Sequence, residues 1–298
     1  MKYKNLKDVF FDSRYHVGRG MATYDKSLDK AVFDGLATIE DVLNNEAAVG
    51  LIVGSDPTIN ALINSEVAMR ALINSGVARD AFANAGLPFD LTGSPGNVKA
   101  LAGDMQAGFF GEVPAEQLIS GNDLALMVGI SEGTGQHSDI GWLKFSFQGK
   151  IQFVAKKTLR HSISWDHINT AGCALGTKTI EIGGLTYKVR LLRTSTTDPT
   201  GTGTALHGGE WNRLILPIHE RAIDKSWAYP DNVENDIPVW VHSLGTGAQG
   251  MYTDEDLLTH NSHGSGSYSW CQETSSSNSA YRLCRGDYGV SYASTSTS

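Results

Sequence analysis

Three cysteines, all in the second half, and a scatter of histidines and carboxylates are the side chains of this chain that could do chemistry. Cys271 and Cys284 stand thirteen residues apart, with Trp270 before the first and Arg285 after the second. A thiol acts as nucleophile or redox group only as the thiolate, which needs a cationic, partly exposed setting. Arg282 and Arg285 are the only cations offering one, so structural thiols or a disulfide fit the pair better than catalysis. With Cys173 the count is three, odd and too low for a disulfide framework. Assembly in a reducing cytoplasm is expected, and pairing of Cys271 with Cys284 in an oxidising exterior stays open.

Metal ligation has two candidate regions. His242, His260 and His263 include an i,i+3 pair, but it falls in a Ser/Gly stretch with no fixed geometry; Asp254, Glu255 and Asp256 lie nearby. The denser oxygen set is Asp231, Asn232, Glu234, Asn235 and Asp236, between Pro230 and Pro238. Asp231, Glu234 and Asp236 are the Ca²⁺ candidates there, the alternative being a solvated acidic loop. No other cofactor is expected. Gly201-Thr202-Gly203-Thr204 lacks the Lys of a phosphate loop. Ser269 lacks the Gly-x-Ser-x-Gly surroundings of a nucleophile elbow. Arg285-Gly286-Asp287 spells an adhesion tripeptide, but a buried turn is the expected reading. No catalytic constellation emerges, and the chain reads as a non-enzyme. Trp227 and Tyr229, beside Asp231 and Asn232, are the candidate exposed contacts, suited to a sugar face or a protein interface. Trp142, Trp211 and Trp270 are expected as core plugs whose indole N–H finds a backbone carbonyl.

The elements that must position these residues differ between the two halves. All six tryptophans lie between Trp142 and Trp270. The 298 residues predict at least two domains, 41% hydrophobic and 19% charged. A net charge of −8 without a cationic stripe argues against nucleic acid. No 18-residue apolar run is present, so no membrane insertion is expected. Met1 to Lys7 is not followed by the apolar run of a secretory signal, so work outside a cell would imply release by lysis or within a particle.

Residues 41–90 align in rows of ten: DVLNNEAAVG, LIVGSDPTIN, ALINSEVAMR, ALINSGVARD, AFANAGLPFD. The second and third columns are apolar, the fourth mostly Asn, the fifth mostly Ser. Asn tolerates a left-handed conformation that ends a helix, and Ser caps the next. Ten residues do not return an α-helix to the same face, so the period predicts short helices winding on one another. The alternative is one Ala-rich helical hairpin.

Residues 1–40 are assigned to an N-terminal attachment segment, 41–92 to the helical repeat and 93–137 to a linker or transition. Residues 138–298 are assigned to a β-rich globule. Leu143, Phe145 and Phe147 alternate with Lys144, Ser146 and Gln148, and Ile151 follows Gly149, which predicts a hairpin. Ile180 and Ile182, then Gly183-Gly184 and Leu185 to Leu191, predict a second. Ser164 is a candidate cap for a short helix, Pro217 interrupts a helical stretch over 210–221, and the chain ends in a Ser/Thr tail.

Five segments then occur in a recognisable order: Ser164-Trp165-Asp166-His167-Ile168; the hairpin from Gly183 to Leu192; Gly208-Gly209-Glu210-Trp211-Asn212-Arg213-Leu214-Ile215; Gly266-Ser267-Tyr268-Ser269-Trp270-Cys271-Gln272-Glu273; and Tyr281 to Gly286 with Gly289-Val290-Ser291-Tyr292. This order resembles a module of tailed-bacteriophage virion proteins, found in tail fibres and exposed structural proteins. That module in turn resembles the formylglycine-generating-enzyme (sulfatase-modifying-factor) and C-type-lectin-like group. The decamer repeat is similar to Ala/Ser-rich repeats that precede such modules. The resemblance implies an α+β chain, a short-helix decamer repeat followed by a loop-rich lectin-like domain. It also implies Ca²⁺ in a loop such as 231–236. One departure is visible: such modules continue into a Trp-Arg-Pro strand that closes the fold, and here Ser294 to Ser298 stand instead.

The function implied is a virion structural protein, made in the host cytoplasm and associated with the tail or tail fibre. It would anchor to other virion subunits through the N-terminal part and display the C-terminal module. A homo-oligomer is expected, a trimer by analogy with phage fibres. The alternatives are an adhesin that reads a host surface glycan or protein, and a capsid decoration or head-fibre protein.

Overall fold

The computed structural model describes residues 38–194, 209–219, 251–257, 268–275, 280–286, 290 and 293–297. The fold mixes helix and sheet, as an α+β chain does, and divides after Ser94 into two compact units. Among the described residues no helix is long and apolar enough to cross a membrane.

The first unit is built of five short helices: α1 (Ile39–Leu43), α2 (Glu46–Ile52), α3 (Asp56–Ile63), α4 (Glu66–Asn74) and α5 (Gly76–Asn84). Each begins at a side-chain cap, Thr38, Asn45, Ser55, Ser65 or Ser75, whose oxygen accepts the N–H of the third residue on. Four of the five caps occupy the fifth column of the decamer. The fourth-column Asn does not end its helix by turning left-handed, as the sequence suggested. Asn44 and Asn64 have φ of −93° and −90°. The next residue must already be extended to act as a cap, which leaves no room for a left-handed residue. Asn64 instead donates its side-chain amide to the Asn60 carbonyl at 2.8 Å.

Besides its sequence neighbours, α1 packs on α4 and α2 on α5. Helices three apart therefore stack, and the chain winds as a solenoid with three helices per turn rather than as a hairpin. Val42, Ile52, Leu62, Leu72 and Phe82 of the second column fill its interior, together with the eighth-column Ala48, Thr58, Ala68 and Ala78. The small eighth-column residues allow close helix approach. Ser75 ties successive turns: its hydroxyl donates to the Leu43 carbonyl at 2.6 Å while accepting Ala78 N–H at 3.1 Å. Phe89 closes the far end edge-on to Phe82, ring centroids 5.9 Å apart.

The second unit contains an antiparallel sheet in the order β1 (Ala102–Gly103), β2 (Ala107–Val113), β4 (Trp142–Phe147), β5 (Lys150–Ala155). The stretch 93–137, read from sequence as a linker, thus supplies β2, an inner strand paired with β4 along its length. β2 is buried on both faces and shows no alternation. Its glycines answer a packing need: a Cβ at Gly108 would lie 2.4 Å from the Asp104 carbonyl oxygen. The same segment explains why Lys144 and Ser146 are buried although they alternate with the apolar residues of β4. Chain from 95 to 106 covers that face, where Asn97 O accepts from Lys144 Nζ at 2.8 Å and Asp104 O from Ser146 Oγ at 2.5 Å. The Lys144 ammonium also lies 5.5 Å from the Phe110 ring centroid.

Phe109, Leu143, Phe145 and Phe147 face the opposite way, onto Trp211, Leu214, Ile215 and Ile218. Those residues belong to a π-helical turn (Trp211–Ile215) that continues into a short α-helix (Leu216–Ile218). Pro217 has no N–H for the α-ladder, and the helix ends at extended His219.

Both hairpins form. β4 and β5 turn through Gln148 and Gly149, and β7 (Lys178–Ile182) and β8 (Leu185–Val189) through Gly183 and Gly184, with positive φ at all four residues. A two-stranded pair joins β3 (Thr134–Gly135) to β6 (Arg160–His161). The helices α6 (Gly121–Val128) and α7 (Trp165–Thr170) are capped by Ser120 and Ser164. A last sheet has the order β11 (Ala293–Thr297), β10 (Tyr281–Arg285), β9 (Ser269–Thr274). The Ser/Thr tail is therefore a strand paired with β10 from Tyr281↔Thr297 to Arg285↔Ala293. Its threonines suit a pleated surface.

Ser75→Ala removes a cap and leaves a buried carbonyl without its donor, and should cost about 2 kcal/mol. Ser65→Ala, which loses a cap alone, should cost about 1 kcal/mol. Urea unfolding of the two variants followed by circular dichroism checks the order.

Candidate functional site

The five segments singled out in the sequence converge within the second unit. Trp165 donates its indole N–H to the Cys271 carbonyl at 2.9 Å, and Trp270 donates to the Ile163 carbonyl at 2.9 Å, a reciprocal tie between β9 and the start of α7. Arg282 of β10 lies over the Trp165 ring, 4.2 Å from its centroid, with a guanidinium nitrogen 3.7 Å from Asp166. The end of the β7–β8 hairpin meets β9 where Gln272 N–H donates to Leu192 O at 3.1 Å and the Gln272 side chain to Leu191 O at 2.8 Å.

Glu210 is the centre of this assembly. Its carboxylate, 4% exposed, takes two bonds from Arg190 at 2.6 and 2.5 Å, the Arg193 N–H at 3.0 Å and the Gln152 amide at 3.2 Å. Next to it, Trp211 donates to the Val290 carbonyl at 2.8 Å, and Asn212 accepts from the buried Arg285 guanidinium. Glu273, also buried, accepts the Thr194 N–H at 2.9 Å.

Such a network packs and orients the segments that it joins. Trp142 and Trp211 are buried and Trp270 is half-buried, and Trp142 donates to the Ile119 carbonyl at 2.7 Å. Arg285 of the adhesion-like tripeptide is buried against Trp211. The three cysteines are free thiols, all buried. Burial pushes the Cys271 thiol well up, and the Glu273 carboxylate pushes it further, against the opposing pull of Arg285. Burial likewise raises Cys173. Neither is a thiolate poised for attack.

Two polar clusters with acid–base residues also prove to be ties. His219 Nε2 lies 3.1 Å from Asp254 Oδ1, but His219 is wholly buried and the same Asp254 oxygen accepts Val290 N–H. Asp256 caps its own short helix through Thr253. The Tyr252 hydroxyl donates to Glu112 at 3.0 Å, and burial followed by the Glu112 charge holds it protonated far into the alkaline range. Glu132 accepts the Ser164 N–H at 2.6 Å, which holds its carboxyl below the usual range, and lies 3.2 Å from His167 Nδ1.

Trp227, Tyr229, Asp231, Asn232, Glu234, Asn235 and Asp236 lie outside the described residues, as do His242, His260 and His263. Among the described residues no group of three or more His, Cys, Asp or Glu is arranged to hold a metal.

A groove of about 710 Å³ lies open on the second unit. The loop 115–120, helix α6, Asp139 and the end of β7 enclose it. Leu118, Ile119, Met127 and Ile182 give it an apolar surface, and Glu116, Asp123, Asp139 and Glu181 place four exposed carboxylates around it. Asp123 doubles as part of the α6 cap, accepting from Ser120 Oγ at 2.7 Å. Among the described residues no lysine or arginine lines the groove. Sequence reading missed it because the four carboxylates come from four separate stretches, each unremarkable alone.

No protein-family model matches this chain, and no similar protein or solved structure is found for it.

Two expectations follow. In the native protein none of the three cysteines should react with a thiol-disulfide reagent at mildly alkaline pH, and all should react in denaturant; a fast native thiol would mark a reactive cysteine. Glu210→Ala should cost about 3 kcal/mol, since it strands a partly buried guanidinium, read by chemical denaturation of the whole chain.

Proposed function

We propose that this chain is a non-enzymatic virion structural protein of a tailed phage, associated with the tail or tail fibre. The capped decamer solenoid and the residues before it serve attachment to other virion subunits, and the second unit is a displayed lectin-like module. The observation that carries this reading is the convergence of the five segments. Trp165, Trp211 and Trp270 each lock one segment to the backbone of another, and Glu210 and Arg285 fix the connections between them. A core built from such ties lets long connections vary without loss of the fold, as display demands. The solenoid supports the attachment role, because stacked short repeats present extended surface per residue. Buried thiols and a wholly buried histidine favour a structural role over a catalytic one.

The test is the position of the protein in purified particles, by imaging a tag placed after Ser298. Label on the tail or its fibres is the expected result. Label over the head would replace the tail assignment with capsid decoration, and particles without label would overturn the virion reading.

A further inference from the structure

We infer that the groove between the loop 115–120, α6 and the β7–β8 hairpin docks a polypeptide segment of a partner protein that carries lysine or arginine interspersed with aliphatic side chains. The argument is one of charge and surface together. Glu116, Asp123, Asp139 and Glu181 stand exposed around one concavity, and among the described residues none forms an ion pair with a lysine or arginine. Elsewhere on this unit, Glu112 is paired with Lys156, Glu132 with His167 and Asp166 with Arg282. Four exposed carboxylates without a counter-cation leave the rim acidic, and a cationic ligand is complementary to it.

A bare cation does not account for the rest of the surface. Met127 is 44% exposed and Leu126, beside it on the outward side of α6, is 81% exposed, both large apolar side chains left in water. Met127, with Leu118, Ile119 and Ile182, provides an apolar seat inside an acidic surround. A segment that lays aliphatic side chains on that seat and cations on the rim matches both features. The groove's volume accommodates a few side chains, which suits a short segment rather than a domain face. This deepens the reading of the chain as an assembly protein, from which the partner would be another virion subunit. The docking chemistry itself is measured on the isolated chain.

The experiment probes an array of random-sequence peptides with the full labelled chain. Bound peptides are expected to be enriched in Lys or Arg together with Leu, Ile, Val or Met. Glu116→Lys combined with Glu181→Lys, both exposed positions, should weaken binding of the selected peptides at least about tenfold. A control with the same net charge, Glu46→Lys with Asp80→Lys, should leave it unchanged. Met127→Gln should remove the aliphatic preference and keep the cationic one. The proposal is overturned if the bound peptides share no cationic-aliphatic composition, if both charge-reversed variants weaken binding equally, or if spermidine displaces the peptides and Met127→Gln has no effect. Peptide binding that meets these criteria alongside particles without label would remove the virion reading and leave the docking site standing.

Discussion

A single buried carboxylate organises the second unit. Glu210 leads into the π-helical turn, and its two oxygens accept from Gln152 of the edge strand β5 and from Arg190 and Arg193 beyond the β7–β8 hairpin. A charge taken out of water is tolerated only when its lone pairs are satisfied, so each donor position is constrained by the others. With Glu210 fixed, Trp211 can enter the core from the neighbouring position and reach the Val290 carbonyl. Leu214, Ile215 and Ile218 then cover the sheet face made by Phe109, Leu143, Phe145 and Phe147. The network's value is specificity of arrangement more than net stabilisation, since desolvating an ion pair offsets much of its attraction.

The tryptophans extend the same logic. Each of the four described indoles donates to a backbone carbonyl in a segment distant in sequence. An indole buries a large apolar area and carries one donor, so it can fill space and fix a loop at once. The reciprocal pair Trp165 and Trp270 does this twice across one seam. Loop-rich chain with little regular hydrogen bonding acquires order from these points. The first unit has the opposite economy: no tryptophan, little long-range polar bonding, and a short local rule repeated every ten residues.

Much of this was legible in the residues. The Asn-Ser breaks gave the decamer and its caps, because capping is a local property of three or four residues. Gln148-Gly149 and Gly183-Gly184 identified both hairpins, since paired positive-φ residues allow few alternatives. What failed was read from composition instead. The stretch 93–137 reads as a linker, although Gly108 stands there in an inner strand because neighbouring chain crosses too closely for a side chain. The Ser/Thr run at 293–297 looked like a tail, and pairing with β10 was invisible without the partner strand. Lys144 read as solvent-facing, and only the covering chain at Asn97 shows why it is not. The acidic groove had no local signature, as its carboxylates are gathered by tertiary structure alone.

The three-helix turn of the solenoid makes the repeat a kind of thread. Each decamer advances the chain by one third of a turn, so about thirty residues return a helix to the same azimuth. Loss or gain of one row would rotate every later helix against the earlier ones, and a surface stripe running along the thread would be broken. Loss or gain of three rows would preserve the stripe and change only its length. Evolution of such a segment is therefore free in steps of three rows and constrained in steps of one, and the azimuth of Val67, exposed on α4, is set by how many rows precede it.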